Sequence, residues 1–539
     1  MLLPMPGILM PMAFTSRART AVRKVFRPRP GPFPSTFLFG VGTADHQCEA
    51  FDARYPDVWD VWEAQHPIRH PGQDCCVARG TATDFWHRYH EDVRLAAALG
   101  CTAFRFSIAW SRVEPEPGRF SEAALAHYRQ VAETIREAGM EPVVTLLHFV
   151  WPKHIEDRGG LRAPDFPEWF GAYAARVRDA LGRVCRYWIT INEPNGLPLG
   201  FLRPFWVREH AWPPGLPAGT SDEAMMRATA EVIRNLFLAH RLARLALRSG
   251  AGGEQRLVSA NSYYFGLPTR FWRLPFPLMQ WVDWRATSER GWSEEDWALV
   301  EGRIVLRPDR TQSVSTAQQA GTHAGPILIS VLVALSRRLA GFLGAARTFA
   351  VLSSFTASNW WQLGMRGRLP EFLCPRECIG QLDYVAFDYY FGTQYLGKLG
   401  SLLDVIERRY DRAPIWATGL YDAIKYFAGM FPGLPLFVIE NGVAAALNDP
   451  KRARYLRDHI REVQRAVQDG VNVIGYLAWS LTTNREWGLK AGPHGDFGLY
   501  HVDLDGDPEL IRHPTGAARA YRAIVNRRTA WASRGPAAG

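Results

Sequence analysis

Trp188-Ile189-Thr190-Ile191-Asn192-Glu193-Pro194 and Leu436-Phe437-Val438-Ile439-Glu440-Asn441-Gly442 decide the reading of this chain. Each is a β-branched, apolar run that ends abruptly in a carboxylate beside an amide. A strand buried on both faces reads this way when its last side chains emerge into a polar site. Two such endings, far apart in one chain, predict a pair of facing carboxylates.

Outward from these two runs the same rhythm repeats. Strand-like stretches fall at Phe37–Ala44, Ala103–Trp110, Pro142–Phe149, Tyr187–Glu193, Leu257–Tyr264, Tyr384–Tyr390, Leu436–Glu440 and Val473–Ser480. Between them lie stretches with apolar residues three and four apart, such as Leu125–Ala138, Phe170–Leu181, Ala224–Arg248 and Lys451–Gln468. Eight strands alternating with helices predict an α/β protein, a single (β/α)8 TIM barrel over residues 37–527. The rhythm breaks once, in a long insertion between strands 5 and 6, at about residues 266–381. Its stretch 326–352 has an apolar run, Ile327 to Leu335, followed by Arg337, Arg338 and Arg347. That run is too short for a spanning helix. It reads either as a helix packed on the barrel or as an interfacial helix touching a membrane or glycolipid.

The termini read as tails, 1–36 basic and 528–539 short. Met1–Phe14 is apolar but broken by Pro4, Pro6 and Pro11, and the positive charge follows it, the reverse of a secretory signal. A disordered tail and a weakly membrane-attracted one both fit. The formal net charge of +10 comes without a basic run interleaved with aromatics, so nucleic acid is not an expected partner. Seven scattered cysteines form no disulfide framework and fit free thiols in a reducing, cytoplasmic setting. Cys374 and Cys378 have loose metal-ligand spacing with no second pair to complete a site, so neither a metal nor a cofactor is expected. The oligomeric state stays open.

The motifs, taken in order, resemble glycoside hydrolase family 1, the β-glucosidase and β-galactosidase type of retaining enzyme. The resemblance runs from about Phe37 to about Val525. It rests on Phe37-Leu38-Phe39-Gly40 with Gln47 and Glu49, Phe104-Arg105-Phe106-Ser107 through Arg112, Thr145-Leu146-Leu147-His148, Asn192-Glu193-Pro194, Glu440-Asn441-Gly442, and Trp479-Ser480-Leu481 with Asn484-Arg485-Glu486-Trp487. It implies Glu193 as acid/base and Glu440 as nucleophile, with Arg105 and Tyr390 beside the nucleophile and Asn192 on the sugar 2-hydroxyl. Gln47, His148 and Glu486 would hold the other hydroxyls, with Trp479 as stacking platform and Trp487 against the same ring. A carboxylate at 486 disfavours 6-phosphosugars, so a small, unphosphorylated β-glycoside is the expected substrate. Transfer to a lipid or sugar acceptor by the same residues is the alternative, and a non-catalytic sugar-binding barrel a third. Each residue also has a plainer reading: strand-end carboxylates, a structural arginine, a core histidine, core tryptophans.

Four departures from the family pattern stand out. Asp388 replaces the usual Asn before the paired tyrosines, and Thr482-Thr483-Asn484 replaces Leu-Asp-Asn. The usual His-Trp pair is His148-Phe149, and Asp496 stands where a basic residue is common.

Overall fold

A computed structural model describes residues 32–65, 77–201, 212–217, 219–220, 222–264, 360–369, 371–392 and 408–532. Eight parallel strands close on themselves in sequence order: β1 (Leu38–Gly42), β2 (Ala103–Ser107), β3 (Glu141–Leu147), β4 (Tyr187–Asn192), β5 (Leu257–Tyr263), β6 (Val385–Asp388), β7 (Leu436–Asn441) and β8 (Val473–Ala478). The eight strands read from the sequence are these eight. All but β7, which runs one residue further than read, end earlier, because the chain leaves the ladder once its side chains turn into the site; β2, for example, gives way after Ser107 to a short helix, Trp110–Val113.

The helices around the barrel include α1 (Phe85–Ala98), α2 (Glu122–Glu137), α3 (Phe166–Leu181), α4 (Asp222–Arg248), α5 (Ala417–Met430), α6 (Lys451–Gln468) and α7 (Gly516–Ala532). α6 has the bounds read from its periodicity, whereas α2 and α3 start earlier. Ser121 caps α2, its hydroxyl accepting from the Ala124 amide at 3.2 Å, and Pro167 sits in the first turn of α3. α7 runs past the boundary drawn at residue 527, because no helix breaker occurs before Gly535. It is tied to the barrel where the Tyr521 hydroxyl donates to the Gly40 carbonyl at 2.6 Å.

Residues 1–31 and 265–359, and with them the stretch 326–352, lie outside the described residues. What is described of the insertion belongs to the core. Helix Trp360–Met365 is buried, and Trp361 stacks on Phe237 of α4 at 4.5 Å between centroids. No described helix is long and apolar enough to cross a membrane. Cys48, Cys101, Cys185, Cys374 and Cys378 are buried free thiols.

An inner cluster fills the barrel below the site: Ala103, Val143, Tyr187, Ile189, Tyr384, Ala386, Phe437, Ile439 and Leu477. Alternation along β4 and β7 is then broken. The β4–β5 register shifts between Ile189 and Asn192, and the β7–β8 register between Val438 and Asn441. Irregularities of this kind re-aim side chains, and they lie where Asn192 and Glu440 enter the site.

Close strand packing explains Gly40. A Cβ there would meet the Ala103 carbonyl oxygen at 2.3 Å and Leu477 at 2.6 Å, whereas one at Gly429 in α5 meets nothing within 4 Å. Gly40→Ala is therefore expected to destabilise by about 1–3 kcal/mol, and Gly429→Ala to stabilise by about 0.5–1 kcal/mol. Shifts of opposite sign in the thermal-unfolding midpoint check this pair.

Candidate active site

The polar side chains gather at the carboxyl ends of the strands, around Arg105. β2 carries this residue, fully buried, and its guanidinium reaches side chains of three other strands. Nε donates to Thr145 Oγ1 of β3 at 2.9 Å, Nη2 to Asn192 Oδ1 of β4 at 2.5 Å, and Nη1 to Glu440 Oε1 of β7. The other oxygen of Glu440 accepts from the Tyr390 hydroxyl at 2.5 Å. Burial, then the charge of Glu440, pushes the Tyr390 phenol well above its usual range, so it remains a donor.

Glu193 follows β4 with φ of +40°, and Phe149 and Trp487 also have positive φ, at +64° and +45°. Left-handed backbone costs a residue with a side chain about 1–3 kcal/mol and gathers at functional sites. Oxygens of Glu193, Asp388 and Glu440 all lie within 4.8 Å of one another. Burial, followed by the charge of Glu440, raises the Glu193 carboxyl well above the ordinary range. Glu193 thus tends to hold a proton beside a carboxylate paired with a guanidinium.

The sugar-facing residues expected from the sequence line the same space. Gln47 lies on a short helical turn, Asp45–Cys48; its Nε2 donates to Glu486 Oε2 at 2.8 Å. Burial, then Glu440, pushes Glu486 up to about 8. His148 lies parallel to Trp479 at 5.6 Å and to Trp487 at 5.9 Å, and burial and Arg105 keep its imidazole neutral. Asn192 Nδ2, Gln47 Oε1 and His148 Nδ1 are buried without a hydrogen-bond partner among the described residues. Folded proteins rarely leave so many polar atoms unpaired in one place unless a polar ligand supplies the partners.

All ten residues expected at the site are therefore brought together. Others were missed. Asn261 of β5 donates to Asn192 Oδ1 at 2.8 Å and to Asp388 Oδ2; an amide at the end of an apolar strand, like Asn192, was its signal. His46 lies under Trp487, parallel to it at 5.8 Å, with its ring nitrogens on Asp57 at 2.9 Å and Glu63 at 3.2 Å. Its signal was weak, since a histidine beside Gln47 reads equally well as core. Among the described residues, two groups, His46/Asp57/Asp60 and Glu193/Asp388/Glu440, offer oxygen or nitrogen close enough to chelate an ion. In each a protein guanidinium already sits on the oxygens, Arg79 on Asp60 at 2.8 Å and Arg105 on Glu440.

Two of the departures meet in space. Thr483 Oγ1 donates to Asp496 Oδ1 at 3.0 Å, and Asp496 is further held by Arg452 at 2.9 Å and His501 at 3.0 Å.

Comparison with known proteins gives the family. The profile of glycosyl hydrolase family 1 matches residues 29–259 and 402–530. The chain is 28% identical over 520 residues to coniferin β-glucosidase of Pinus contorta, covering 92% of each. It is 26% identical over 532 residues to cyanidin 3-O-glucoside 7-O-glucosyltransferase (acyl-glucose) of Delphinium grandiflorum, covering 93% of this chain and 92% of that one. The fold is similar to that of the family 1 β-glucosidase from Thermotoga maritima, with a TM-score of 0.64, 21% identity, and coverage of 92% of this chain and 99% of that one. With the family profile matched over well more than half of its length, the chain belongs to glycosyl hydrolase family 1 and is a glycoside hydrolase.

Proposed function

We propose that this glycoside hydrolase is a retaining β-glycosidase acting on unphosphorylated β-glucosides or β-galactosides, with Glu440 as nucleophile and Glu193 as acid/base. One observation carries the reading. Glu440 is gripped from both sides by Arg105 and Tyr390, while one oxygen of Glu193 lies within 4.8 Å of one of its own. Retaining enzymes hold their carboxyls about 5–5.5 Å apart, and inverting ones about 6.5–9.5 Å apart to admit a water.

In the first step Glu193 gives its proton to the glycosidic oxygen, which leaves with the electron pair of the broken bond. Glu440 closes on the anomeric carbon from the opposite face and forms a glycosyl ester. Glu193, now a carboxylate, takes a proton from water as that water attacks the same carbon and releases Glu440. The unpaired amide of Asn192 supplies a hydrogen bond to the 2-hydroxyl, which strengthens as charge develops on the ring. Gln47, His148 and Glu486 offer acceptors and donors to the remaining hydroxyls. The indole of Trp479 supports the ring, with Trp487 beside it.

A second reading has support in one relative, the Delphinium glucosyltransferase. The glycosyl ester on Glu440 reacts with whichever hydroxyl Glu193 deprotonates, so a bound acceptor in place of water makes the same residues a transglycosidase. Product analysis with excess sugar or phenolic acceptor separates the readings: free monosaccharide alone marks a hydrolase, and transfer product a transglycosidase.

Glu440→Gln is expected to abolish turnover of aryl β-glycosides, and a 2-fluoro aryl glycoside to add one glycosyl mass to the peptide carrying Glu440. Glu193→Gln should lose about 10²–10⁴-fold in rate with a poorly leaving aglycone. Its kcat/KM should fall far less with a dinitrophenyl aglycone, which departs without a proton, while kcat stays low because breakdown of the ester still lacks its base. Turnover by Glu440→Gln at the wild-type rate, or label on another residue, would overturn the assignment.

Glu486 gives a pH dependence of stability. Its folded pKa is raised from 4.5 to about 8, so the folded state keeps a proton that the unfolded chain releases. The stabilisation from that proton is complete below about 4.5 and is lost as the pH rises through about 8. Glu486→Gln removes this loss. The melting temperature of the variant minus that of wild type should therefore increase across this range, as thermal melts at several pH values will check.

A further inference from the structure

Asp388 ends β6 and is fully buried. Its neighbours in the ladder are Tyr263 of β5 and Glu440 of β7. Where the family pattern has an uncharged amide, this chain places a third carboxyl in the same few ångströms as Glu193 and Glu440. Among the described residues the charged groups facing it are Glu440 from β7, Glu193 from the end of β4, and Arg105 from β2. The phenols of Tyr263 and Tyr390 also face it, and Asn261 of β5 donates to Oδ2. Oδ1 is buried and has no donor among the described residues.

The charges do not balance as carboxylates. Three carboxylates against one guanidinium would leave two uncompensated negative charges where Asp388 and Glu440 are buried and Glu193 partly so, a large desolvation cost. Glu440 already has both strong donors, Arg105 and Tyr390. The Glu193 and Asp388 carboxyls are left facing each other, an oxygen of each within 4.8 Å of the other.

We propose that Asp388 shares the proton of Glu193, so that the acid/base of this enzyme is a carboxyl pair and Asp388 is its positioning residue. The proposal rests on Glu193 being the acid/base. In the active form the pair carries one proton and one negative charge, Glu440 a second negative charge, and Arg105 the positive one. When Glu193 protonates the leaving oxygen, the pair becomes doubly negative as Glu440 becomes a neutral ester, so the net charge on these side chains is unchanged. Water returns the proton to the pair as the ester is cleaved. Two carboxyls that share a proton give up the last one at higher pH than either would alone.

The test is the pH profile of kcat/KM for an aryl β-glycoside whose leaving group needs protonation. Asp388→Asn restores the amide and removes the sharing partner. Its basic limb is expected to move to lower pH by about one unit, with activity near the optimum lowered less than on the basic side. Asp388→Glu, which keeps a sharing carboxyl, should return the limb toward its wild-type position. Should Asp388→Asn fail to fold, Asn261→Ala removes the amide that favours the ionised Asp388, and its limb should move up. A limb that stays in place in a folded Asp388→Asn, with kcat/KM reduced equally at all pH values, overturns the proposal, as does an unmoved limb in Asn261→Ala. Wild-type protein with neither turnover nor labelling of Glu440 fails the glycosidase reading itself, and the pair with it; turnover with an unmoved limb fails the pair alone.

Discussion

The guanidinium of Arg105 is the interaction on which the site depends. A charge with no solvent access is tolerated only when its donors are met by well-placed acceptors, and here β3, β4 and β7 each supply one: Thr145, Asn192 and Glu440. The arginine thereby fixes three strand ends relative to β2 at the height where the chemistry is placed. Its planar fork suits this, because each direction is already set when one bond forms. A lysine would satisfy the charge of Glu440 but could not hold Asn192 and Thr145 in the same plane. Fold and site are coupled through this side chain: the barrel brings its partners together, and its own burial requires them to be polar.

The strands contribute more than a frame. Strict alternation, set below by Ile189 of β4 and Ile439 of β7, would turn Asn192 and Glu440 away from the barrel interior. Register shifts in both strands, and the left-handed backbone of Glu193, undo that parity. The local strain is offset by packing beneath it, where the inner cluster of Tyr187, Tyr384, Phe437 and their neighbours is continuous. A layer of parallel buried rings, His46, Trp487, His148 and Trp479, bounds the space proposed for the sugar.

How much of this was legible in the sequence follows from what each signal measures. Hydrophobic periodicity reports burial, so the eight strands and α6 were readable, and so was the emergence of Asn192-Glu193 and Glu440-Asn441 from apolar runs. Strand ends were read too long, because residues such as Ile108 and Trp110 stay buried after they leave the ladder. Likewise 360–381 looked like part of an insertion, because the long preceding segment breaks the rhythm, although Trp361 and Cys378 are core. The partners of Arg105 were only partly visible: its pairing with Glu440 came from the family resemblance, whereas Thr145 is an ordinary polar residue until the register sets it beside the guanidinium. Pairing across more than 300 residues, as between Arg105 and Glu440, leaves no trace in local periodicity.

The departures from the family pattern show how one constraint is met in two ways. At 483 an acid is replaced by threonine, and at 496 a basic residue is replaced by an acid; taken singly, each change loses a charge partner. Together they form a hydrogen bond, and the negative charge moved to Asp496 is taken up by Arg452 and His501, which hold its carboxyl below the ordinary range. At 388 the change also adds a negative charge, but the surroundings differ. The nearby cation, Arg105, is already committed to Glu440, and the other groups facing Asp388 are carboxyls, phenols and an amide. A buried acid with a cation available ionises, and one without keeps a proton. Two acids in place of the family's usual residues, both nine-tenths buried or more, therefore differ in consequence: Asp496 becomes part of the scaffold, while Asp388 faces Glu193 with the proton that we propose the two share.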